Sequence, residues 1–413
     1  MKILIVNTFD IAGGAARAAY RLHQALLNSG VDSQMLVMSK ISDDDTVIES
    51  GIKIKKIQKV MSIIRHRLDA LPLKYYKNKT ETLFSPAWIP FSAITDAIEA
   101  IDPDVVHLHW ICGGMIRIED LSKIKKPIIW SLHDMWAFTG GCHYDGGCGK
   151  YKTGCGFCPV LHSKKINDLS KVVFLRKEKT YAKMENFTVV GLSRWLADCA
   201  DNSALFARER VVNLPNPIDV TRYKPINKSQ ARIELNLPID KKLILFGAES
   251  ATSDPRKGYM VLVKALDIIP KKSDKELIVF GSSQPDNSLQ CGFTSHYLGQ
   301  IEDKLLPLLY SASDVMVVPS VQENLSNTIM ESLACGTPVV GFDIGGNRDL
   351  IDHKCNGYLA EPFSPSDLSN GILFILNSPE YTKISDNARE KVIRCFDSKT
   401  VAGDYIDLYK SVL

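Results

Sequence analysis

The sequence predicts an α/β protein made of two domains, each built on a parallel sheet. Short apolar segments such as 2–6 and 242–247 alternate along the chain with segments whose apolar residues recur at helical spacing. This alternation is interrupted once, where Pro215 and Pro217 lie close together among Asn and Asp residues, as is typical of a linker. We therefore predict domains at 1–215 and 216–385, followed by closing helices in 386–413.

Composition sets the class of protein. The chain has 413 residues, of which 45% are hydrophobic and 23% charged, and this length accommodates two separate cores. The net charge of +3 is small, so composition does not call for a nucleic-acid partner. The apolar run at Met1–Val6 is too short for a signal peptide, and no run approaches the ~20 apolar residues of a membrane-spanning helix. We expect a cytoplasmic protein, whose ten cysteines are reduced or bind a metal.

The pattern in the first half predicts a series of strands, each followed by a turn and a helix. We predict strands at 2–6, 104–110, 127–132 and 187–192, and helices at 15–28, at 166–184 and from Ser193 onward. Gly13 and Gly14 end the first strand-to-helix loop, where glycine allows a ligand to approach the backbone closely. The loop lacks the G-x-G-x-x-G dinucleotide fingerprint, and a tight turn without a ligand is the alternative interpretation.

The second half repeats the same pattern. We predict strands at 242–247, 277–281, 296–299, 315–319 and 338–342, and helices after Gly258, at 303–312, between Ser326 and Gly336, and twice within 380–413. Lys257 precedes a helix N-terminus, where its charge adds to a phosphate site already favoured by backbone N–H groups. The alternative is an ordinary Lys-Gly surface turn.

Two glutamates eight positions apart carry the main functional hypothesis. Glu323 lies in the loop before a short helix, and Glu331 lies about one and a half turns inside it. The helix N-terminus suits a diphosphate, a carboxylate inside the helix can accept hydrogen bonds from a ribose diol, and a carboxylate before it can hold sugar hydroxyls. The alternative is a solvated helix with two exposed glutamates.

A histidine marks the end of a predicted strand in the first half. His133 follows the strand at 127–132 directly, and side chains at the carboxyl ends of parallel strands face the ligand crevice of such sheets. The alternative is a core histidine satisfied by Asp134. His107 and His109 share one face of the preceding strand and are weaker candidates.

A glycine-rich loop at 140–159 contains four of the ten cysteines. Cys155 and Cys158 have the C-x-x-C spacing of half a zinc site, and Cys142 and Cys148 complete a possible set of four. Such a loop is expected to bury little apolar surface, so a metal would supply the free energy that orders it. Structural zinc is the favoured interpretation, and disulfides or free thiols and an iron–sulfur cluster remain open.

The segment 52–79 concentrates positive charge. Nine lysines and arginines accompany a single acid, Asp69, and apolar residues recur between them at helical spacing. A basic amphipathic helix can lie on an anionic membrane leaflet, and a solvated helix that covers the domain core is an equal alternative.

The motif at 323–340 resembles a known family. Glu323 and Glu331, followed by Ser-Leu-Ala-Cys-Gly-Thr-Pro-Val-Val at 332–340, look like the signature of retaining GT-B glycosyltransferases of family four. The resemblance covers 242–361 well, and in the first half it rests on 12–15, 130–134 and the Cys-rich loop. That loop is similar to one in bacterial capsule, colanic-acid and O-antigen glycosyltransferases.

The resemblance implies a GT-B fold, with two facing Rossmann-like domains and a cleft between them. It also implies that the closing helices in 386–413 cross back to the first domain. It implies that Glu331 binds the donor ribose, that Glu323 and His133 contact the donor sugar, and that Lys257 stabilises the leaving diphosphate. The implied donor site comprises Gly13, Gly14, Arg256, Lys257, Glu323, Asn324, Leu325, Ser326, Asn327 and Glu331. Two positions depart from the family pattern. Asn324-Leu325-Ser326 replace the aromatic residue and glycine that commonly follow the first glutamate, and Ala248 stands where an arginine is common, so Arg256 is the candidate replacement.

The implied reaction transfers a sugar from a nucleotide-diphosphate sugar to a hydroxyl of a lipid-linked glycan, with retention and without a catalytic metal. The resemblance further implies a role in the biosynthesis of bacterial lipopolysaccharide or capsule. The enzyme would then be cytoplasmic and in peripheral contact with the inner membrane. A nucleotide-sugar epimerase or phosphorylase on the same fold and a non-catalytic assembly protein are the alternatives.

Overall fold

The computed structural model describes residues 1–51, 63–90, 92–248, 251–270, 274–282 and 292–413. The chain forms two compact units: Met1–Pro217 together with Val401–Leu413, and Ile218–Thr400. Each unit contains a sheet in which the paired strands run parallel. Within these ranges, six 3₁₀ helices lie between the longer elements: Leu71–Tyr75, Ile118–Lys123, Trp136–Phe138, Lys150–Lys152, Pro255–Lys257 and Asp303–Leu305.

The first unit has a seven-stranded sheet. In chain order its strands are β1 (Lys2–Phe9), β2 (Asp32–Ser39), β3 (Val47–Glu49), β4 (Val105–Leu108), β5 (Ile128–Leu132), β6 (Phe187–Gly191) and β7 (Arg210–Asn213). Their spatial order is β3-β2-β1-β4-β5-β6-β7, so the winding direction reverses between β1 and β4. Its main helices are Gly14–Asn28, Ile94–Ile101, Leu169–Tyr181, Arg194–Asp201 and the last helix, Ser398–Lys410.

The second unit has a six-stranded sheet of the same topology. Its strands are β8 (Lys242–Gly247), β9 (Lys275–Phe280), β10 (Thr294–Tyr297), β11 (Val315–Val318), β12 (Val339–Phe342) and β13 (Gly357–Ala360). Their order is β10-β9-β8-β11-β12-β13, with the reversal between β8 and β11. The helices are Lys228–Glu234, Tyr259–Ile268, Leu306–Ala312, Asn327–Ala334, Asn347–Leu350, Pro365–Leu376 and Tyr381–Phe396. Both orders are those of Rossmann-like sheets, which bind ligands outside the carboxyl ends of the strands at the reversal.

Strand β1 is apolar at almost every position because both of its faces are buried. Successive side chains point to opposite faces, so Leu4 and Val6 enter one core cluster while Ile3 and Ile5 enter another. A parallel strand covered by helices on both faces must be apolar on both, which explains the short apolar runs. The second of these clusters is completed by five buried residues of the last helix: Val401, Ala402, Tyr405, Leu408 and Tyr409.

The predicted strands and helices are confirmed wherever the structure describes them, with ends that shift by a few residues. The predicted helix at 166–184, for example, runs from Leu169 to Tyr181. Strands β2, β3, β7 and β13 were not predicted, and neither were the helices Ile94–Ile101, Lys228–Glu234 and Pro365–Leu376. Strand β3 has three residues, and residues 94–101 span two turns, so the windows are too short for a period to stand out.

Within the described ranges, no helix has the length and apolar character needed to cross a bilayer. Residues 52–62 of the basic segment lie outside those ranges.

Candidate functional site

In the second unit, predicted site residues meet outside the carboxyl ends of β8 and β11, where the strand order reverses. After β8 the chain forms the 3₁₀ turn Pro255–Lys257, and after β11 it continues through Pro319 to Glu323. The Val321 N–H donates to the Arg256 carbonyl oxygen at 2.8 Å, which ties the two loops together. Two stretches more than sixty residues apart in sequence therefore form one surface.

Gly258 makes this close approach possible. Its φ is +72°, in the left-handed region that favours glycine, and it lies between the 3₁₀ turn and the helix Tyr259–Ile268. A Cβ atom at this position would lie 1.9 Å from the Pro319 carbonyl oxygen. The glycine of the Lys-Gly step is therefore required by backbone packing.

The tied loops bring Lys257 and Glu323 together. The Lys257 Nζ lies 3.6 Å from the Glu323 Oε2, and the two side chains are 28% and 15% exposed. The Arg256 guanidinium instead engages both carboxylate oxygens of Asp254, with its Nη2 2.7 Å from Oδ2. In this structure the Nε and Nη2 groups of Arg256 are paired with Asp254, and the Arg256 side chain remains 45% exposed.

The helix Asn327–Ala334 begins beside this pair. Asn324, Leu325 and Ser326 are buried and lead into it. The Ser326 hydroxyl lies 3.0 Å from the Thr328 hydroxyl, and the Ser326 side chain does not cap the helix. Glu331 is 3% exposed, so the interpretation of two solvated glutamates is wrong for this position. The Tyr310 hydroxyl donates to the Glu331 Oε2 at 2.8 Å.

This surface has the chemistry of a nucleotide-sugar site. A helix N-terminus with its partial positive charge lies near a lysine, and these are the groups that bind phosphate in proteins. Two carboxylates supply acceptors for hydroxyl groups. Asn327 starts the helix, so the four residues from 324 to 327 form a continuous stretch at its N-terminus.

In the first unit, Gly13 precedes the helix Gly14–Asn28 with φ of +89°, and a Cβ built on it would meet nothing within 4 Å. The open space agrees with a backbone position that a ligand can approach. Asp10 shapes this loop, since its buried carboxylate accepts hydrogen bonds from the N–H groups of Ile11, Ile41 and Ser42.

His133 is half-buried and lies beside two buried histidines, His107 and His109, at the ends of β4 and β5. Its Nε2 lies 2.9 Å from the Nδ1 of His109, while His107 is held between the Tyr409 hydroxyl at 2.7 Å and the Ser131 hydroxyl at 2.8 Å. Burial lowers the pKa of His133 to about 4 and that of His107 to about 3, and it lowers the pKa of His109 well below its usual range. All three rings are therefore neutral near pH 7. Because each neutral ring carries one N–H, the tautomers of His109 and His133 are coupled.

The Asp134 carboxylate is held by several polar contacts. It pairs with the Nδ1 of His143 at 2.6 Å and accepts from the Trp110 Nε1 at 3.0 Å and the Trp136 N–H at 2.8 Å. The Nε2 of His143 lies 2.9 Å from the Ser85 hydroxyl. This network anchors the start of the Cys-rich loop beneath His133. His133, Asp134 and His109 also line a small pocket together with aromatic side chains.

The predicted zinc ligands do not form a metal site in the structure. Cys142, Cys148, Cys155 and Cys158 are free thiols, and among the residues that the structure describes, no three Cys, His, Asp or Glu side chains are grouped as metal ligands. Burial, with smaller contributions from neighbouring groups, raises the pKa of Cys155 to about 11 and also raises that of Cys142 and Cys158.

The premise that the loop buries little apolar surface is wrong. Cys142, Cys155 and Cys158 belong to the main core cluster of the first unit, together with Tyr151, Val160 and Leu161. The Asp168 carboxylate accepts from the Cys158 N–H at 2.8 Å, and the Cys155 sulfur accepts from the Gly140 N–H at 3.1 Å. Packing and hydrogen bonds supply the ordering that we had assigned to a metal.

The described part of the basic segment carries an exposed apolar surface. Five of its large apolar residues are 40% to 90% exposed: Ile63, Ile64, Leu68, Leu71 and Tyr75. The Trp88 ring joins them, since its Nε1 donates to the Leu68 carbonyl oxygen at 3.2 Å. Exposed cations flank this surface at Arg67, Lys74, Lys77 and Lys79, and Asp69 is buried beneath it.

Comparison with known proteins agrees with this geometry. The family model for glycosyl transferases group 1 matches residues 227–391, and the model for Glycosyltransferase Family 4 matches residues 12–222. WcaC of Escherichia coli, named for colanic acid biosynthesis, is 25% identical over 378 residues, which cover 85% of each chain. An uncharacterized glycosyltransferase of Methanocaldococcus jannaschii is 24% identical over 331 residues, covering 74% of this chain and 82% of the relative.

Solved structures share the fold. The sucrose-phosphate synthase of Thermosynechococcus elongatus matches with a TM-score of 0.70 and 20% identity, covering 100% of this chain and 99% of the other. The Anabaena protein Alr3699/HepE, solved with UDP and glucose, matches over 100% of both chains with a TM-score of 0.66 and 17% identity. These structures confirm the predicted GT-B class in its two Rossmann-like sheets. Since one family model covers more than half of the 413 residues, this chain belongs to glycosyltransferase family 4.

Proposed function

We propose that the protein is a retaining glycosyltransferase that moves a sugar from a nucleotide-diphosphate sugar to a hydroxyl of a lipid-linked glycan, in the synthesis of a bacterial surface polysaccharide. The observation that carries this proposal is the pairing of Lys257 with Glu323 beside a helix that contains the buried Glu331. WcaC, named for colanic acid biosynthesis, and the neighbour solved with UDP and glucose support the class of reaction.

In the proposed reaction, the bond from the anomeric carbon to the diphosphate oxygen breaks as the acceptor oxygen forms a bond on the same face. The acceptor proton passes to the departing diphosphate. Lys257 and the N–H groups at the start of the helix Asn327–Ala334 stabilise the charge that grows on that group. Glu331 holds the ribose, while Glu323 and His133 orient the sugar. Gly13 and Gly14 allow close backbone approach to the substrates, and Asn324, Leu325, Ser326 and Asn327 form the wall of the donor site.

The test is a panel of UDP-, GDP- and other nucleotide sugars, followed by thermal stabilisation of the purified protein. A donor at 100 times its dissociation constant stabilises a protein by about 2.7 kcal/mol. We expect one nucleotide sugar to raise the thermal stability of the wild type. The same nucleotide sugar should not stabilise the Glu331→Ala variant. Glu302→Ala is the matched control, because this exposed glutamate pairs only with the surface residue Lys304 among the ion pairs described. Stabilisation that persists in Glu331→Ala would contradict the proposed donor site.

Turnover then separates the transferase from its alternatives. Release of free nucleotide diphosphate only when an acceptor glycan is present supports the transferase. Conversion of the donor sugar without any acceptor would identify an epimerase, and binding without any turnover would favour an assembly protein.

We also propose that the surface formed by Ile63, Ile64, Leu68, Leu71, Tyr75 and Trp88 contacts an anionic membrane from the cytoplasmic side. The exposed apolar residues and the flanking cations support this membrane proposal. The exposure of Leu68 and Leu71 argues against the alternative, because a helix that covered the core would bury them. Wild-type protein should float with vesicles that contain anionic lipid and remain behind with neutral vesicles. The double variant Leu68→Glu and Leu71→Glu should lose flotation. Equal binding to both kinds of vesicle would contradict this proposal.

A further inference from the structure

Tyr310 is a buried residue in polar contact with the proposed ribose carboxylate. It lies in the helix Leu306–Ala312 and is 0% exposed. Its hydroxyl donates to the Glu331 Oε2 at 2.8 Å, across 21 positions of sequence. Glu331 itself is 3% exposed, so this hydrogen bond is made out of contact with bulk water, where such bonds are strong.

The surroundings of Tyr310 hold it in place. Its ring packs edge-on against Phe280, with ring centroids 6.1 Å apart. Its carbonyl oxygen accepts from the Thr337 hydroxyl at 2.7 Å, and the Ser332 hydroxyl donates to the Thr337 carbonyl oxygen at 3.0 Å. Ser332 follows Glu331 directly, so the tyrosine and the glutamate belong to one rigid set of contacts.

The hydroxyl is also a permanent donor. Burial, followed by the Glu331 charge, raises the pKa of Tyr310 well above its usual range, so the phenol stays protonated at any working pH. Donation to Oε2 fixes the plane of the carboxylate. With that plane fixed, the lone pairs of the other oxygen have one direction, which is what recognition of a ribose hydroxyl needs.

We propose that Tyr310 is a positioning residue for the nucleotide: it orients the Glu331 carboxylate toward the ribose hydroxyls and so sets the preference for ribonucleotides over deoxyribonucleotides. The inference rests on the proposed donor site, because Glu331 must contact the ribose. It adds a residue outside the recognised motif and a selectivity that can be measured.

The experiment uses the full chain and calorimetric titration with UDP and GDP, each compared with its 2′-deoxy and 3′-deoxy forms. For the diphosphate that the wild type binds, we expect Tyr310→Phe to weaken ribonucleotide binding by about 10- to 150-fold, the typical effect of a lost hydrogen bond to a charged group. We expect a smaller effect on the deoxy form, so the preference for ribose falls. The variant Tyr310→Phe/Glu331→Gln should bind no more weakly than Glu331→Gln alone, because Tyr310 acts through that carboxylate.

Tyr181→Phe is the matched control. The Tyr181 hydroxyl is also buried and donates to the Ala137 carbonyl oxygen at 2.8 Å, but it lies in the first unit. Its replacement should cost comparable thermal stability and leave the ribose preference unchanged.

Two results would overturn the inference. If Glu331→Gln reduces the ribose preference and Tyr310→Phe does not, or if the two effects add, Tyr310 has no positioning role and the proposed function stands. If nucleotide binding is unaffected by Glu331→Gln, the donor site itself is misassigned and the role of Tyr310 fails with it.

Discussion

Single residues determine whether the second-unit site can form, and Gly258 is the clearest case. Gly258→Ala should lower the free energy of unfolding by more than the roughly 1–2 kcal/mol of a left-handed backbone, because its Cβ would also meet the Pro319 carbonyl oxygen. It should weaken donor binding as well, by separating Lys257 from Glu323. Chemical denaturation and thermal stabilisation by donor measure the two effects.

Gly299→Ala is the control for that prediction. Gly299 has φ of +63° in the same unit, but a Cβ there would meet nothing within 4 Å. The free energy of unfolding of Gly299→Ala should therefore fall only by the cost of the left-handed backbone. Equal losses in the two variants would contradict the packing argument at Gly258.

Buried histidines should make the first unit sensitive to acid. Burial lowers the pKa of His23 and His133 to about 4 and of His107 to about 3, from 6.5. Between about pH 6.5 and pH 4 the unfolded chain therefore binds more protons than the folded one, so stability falls as the pH falls. Each histidine contributes at most about 1.4 kcal/mol per pH unit. Denaturation curves at pH 7, 6 and 5 measure this slope.

His23→Gln isolates one contribution. His23 is held by the Ser33 and Thr46 hydroxyls at 2.8 Å and 2.7 Å, outside the proposed site. The variant should be less stable at pH 7 and should show a shallower loss between pH 6 and pH 5. An unchanged slope would mean that His23 is not buried in its neutral form.

At the scale of elements, Asp168 joins the Cys-rich loop to a helix. Its carboxylate caps the helix Leu169–Tyr181 by accepting from the Lys171 N–H at 3.1 Å, and it also accepts from the Ser170 hydroxyl and the Cys158 N–H. Loss of a helix cap alone costs about 1 kcal/mol. Asp168→Ala should cost more, since it also removes two other hydrogen bonds, and should expose the loop cysteines to thiol reagents.

Asn227→Ala is the matched cap variant. Asn227 caps the helix Lys228–Glu234 by accepting from the Gln230 N–H at 3.0 Å. The Asn227→Ala variant should lose about 1 kcal/mol of unfolding free energy and show unchanged labelling of its cysteines. Chelators should have no effect on either variant, because the loop is ordered by packing and hydrogen bonds; a loss of stability on chelation would restore the zinc hypothesis.

At the scale of the whole molecule, the last helix belongs to the first unit. Tyr409 and Tyr405 bond to His107 and Ser131, and the helix fills the core next to β1. A fragment of residues 1–217 should therefore aggregate or stay unfolded, whereas 218–400 should fold by itself. Addition of a peptide of residues 398–413 should restore folded 1–217. Circular dichroism and sedimentation measure this, and a stable, monomeric 1–217 would contradict it.

Much of the fold follows from local pattern. Apolar runs of four to six residues predict buried parallel strands, and glycine or proline after a helical period predicts where helices end. The candidate site in the second unit also follows, because Lys257 and Glu323 each come after a strand at the reversal of the sheet, and such strands place their carboxyl ends side by side.

The sequence by itself therefore determined the fold class, the two parallel sheets and the residues of the 323–340 motif, since these depend on short-range periodicity and spacing. Only the tertiary structure decided that Tyr310 bonds to Glu331, that His109 bonds to His133, and that the Cys-rich loop packs into the core. Each of these contacts joins residues from different elements. Such contacts depend on how strands and helices pack, and the spacing of residues along one element carries no information about the element that it meets.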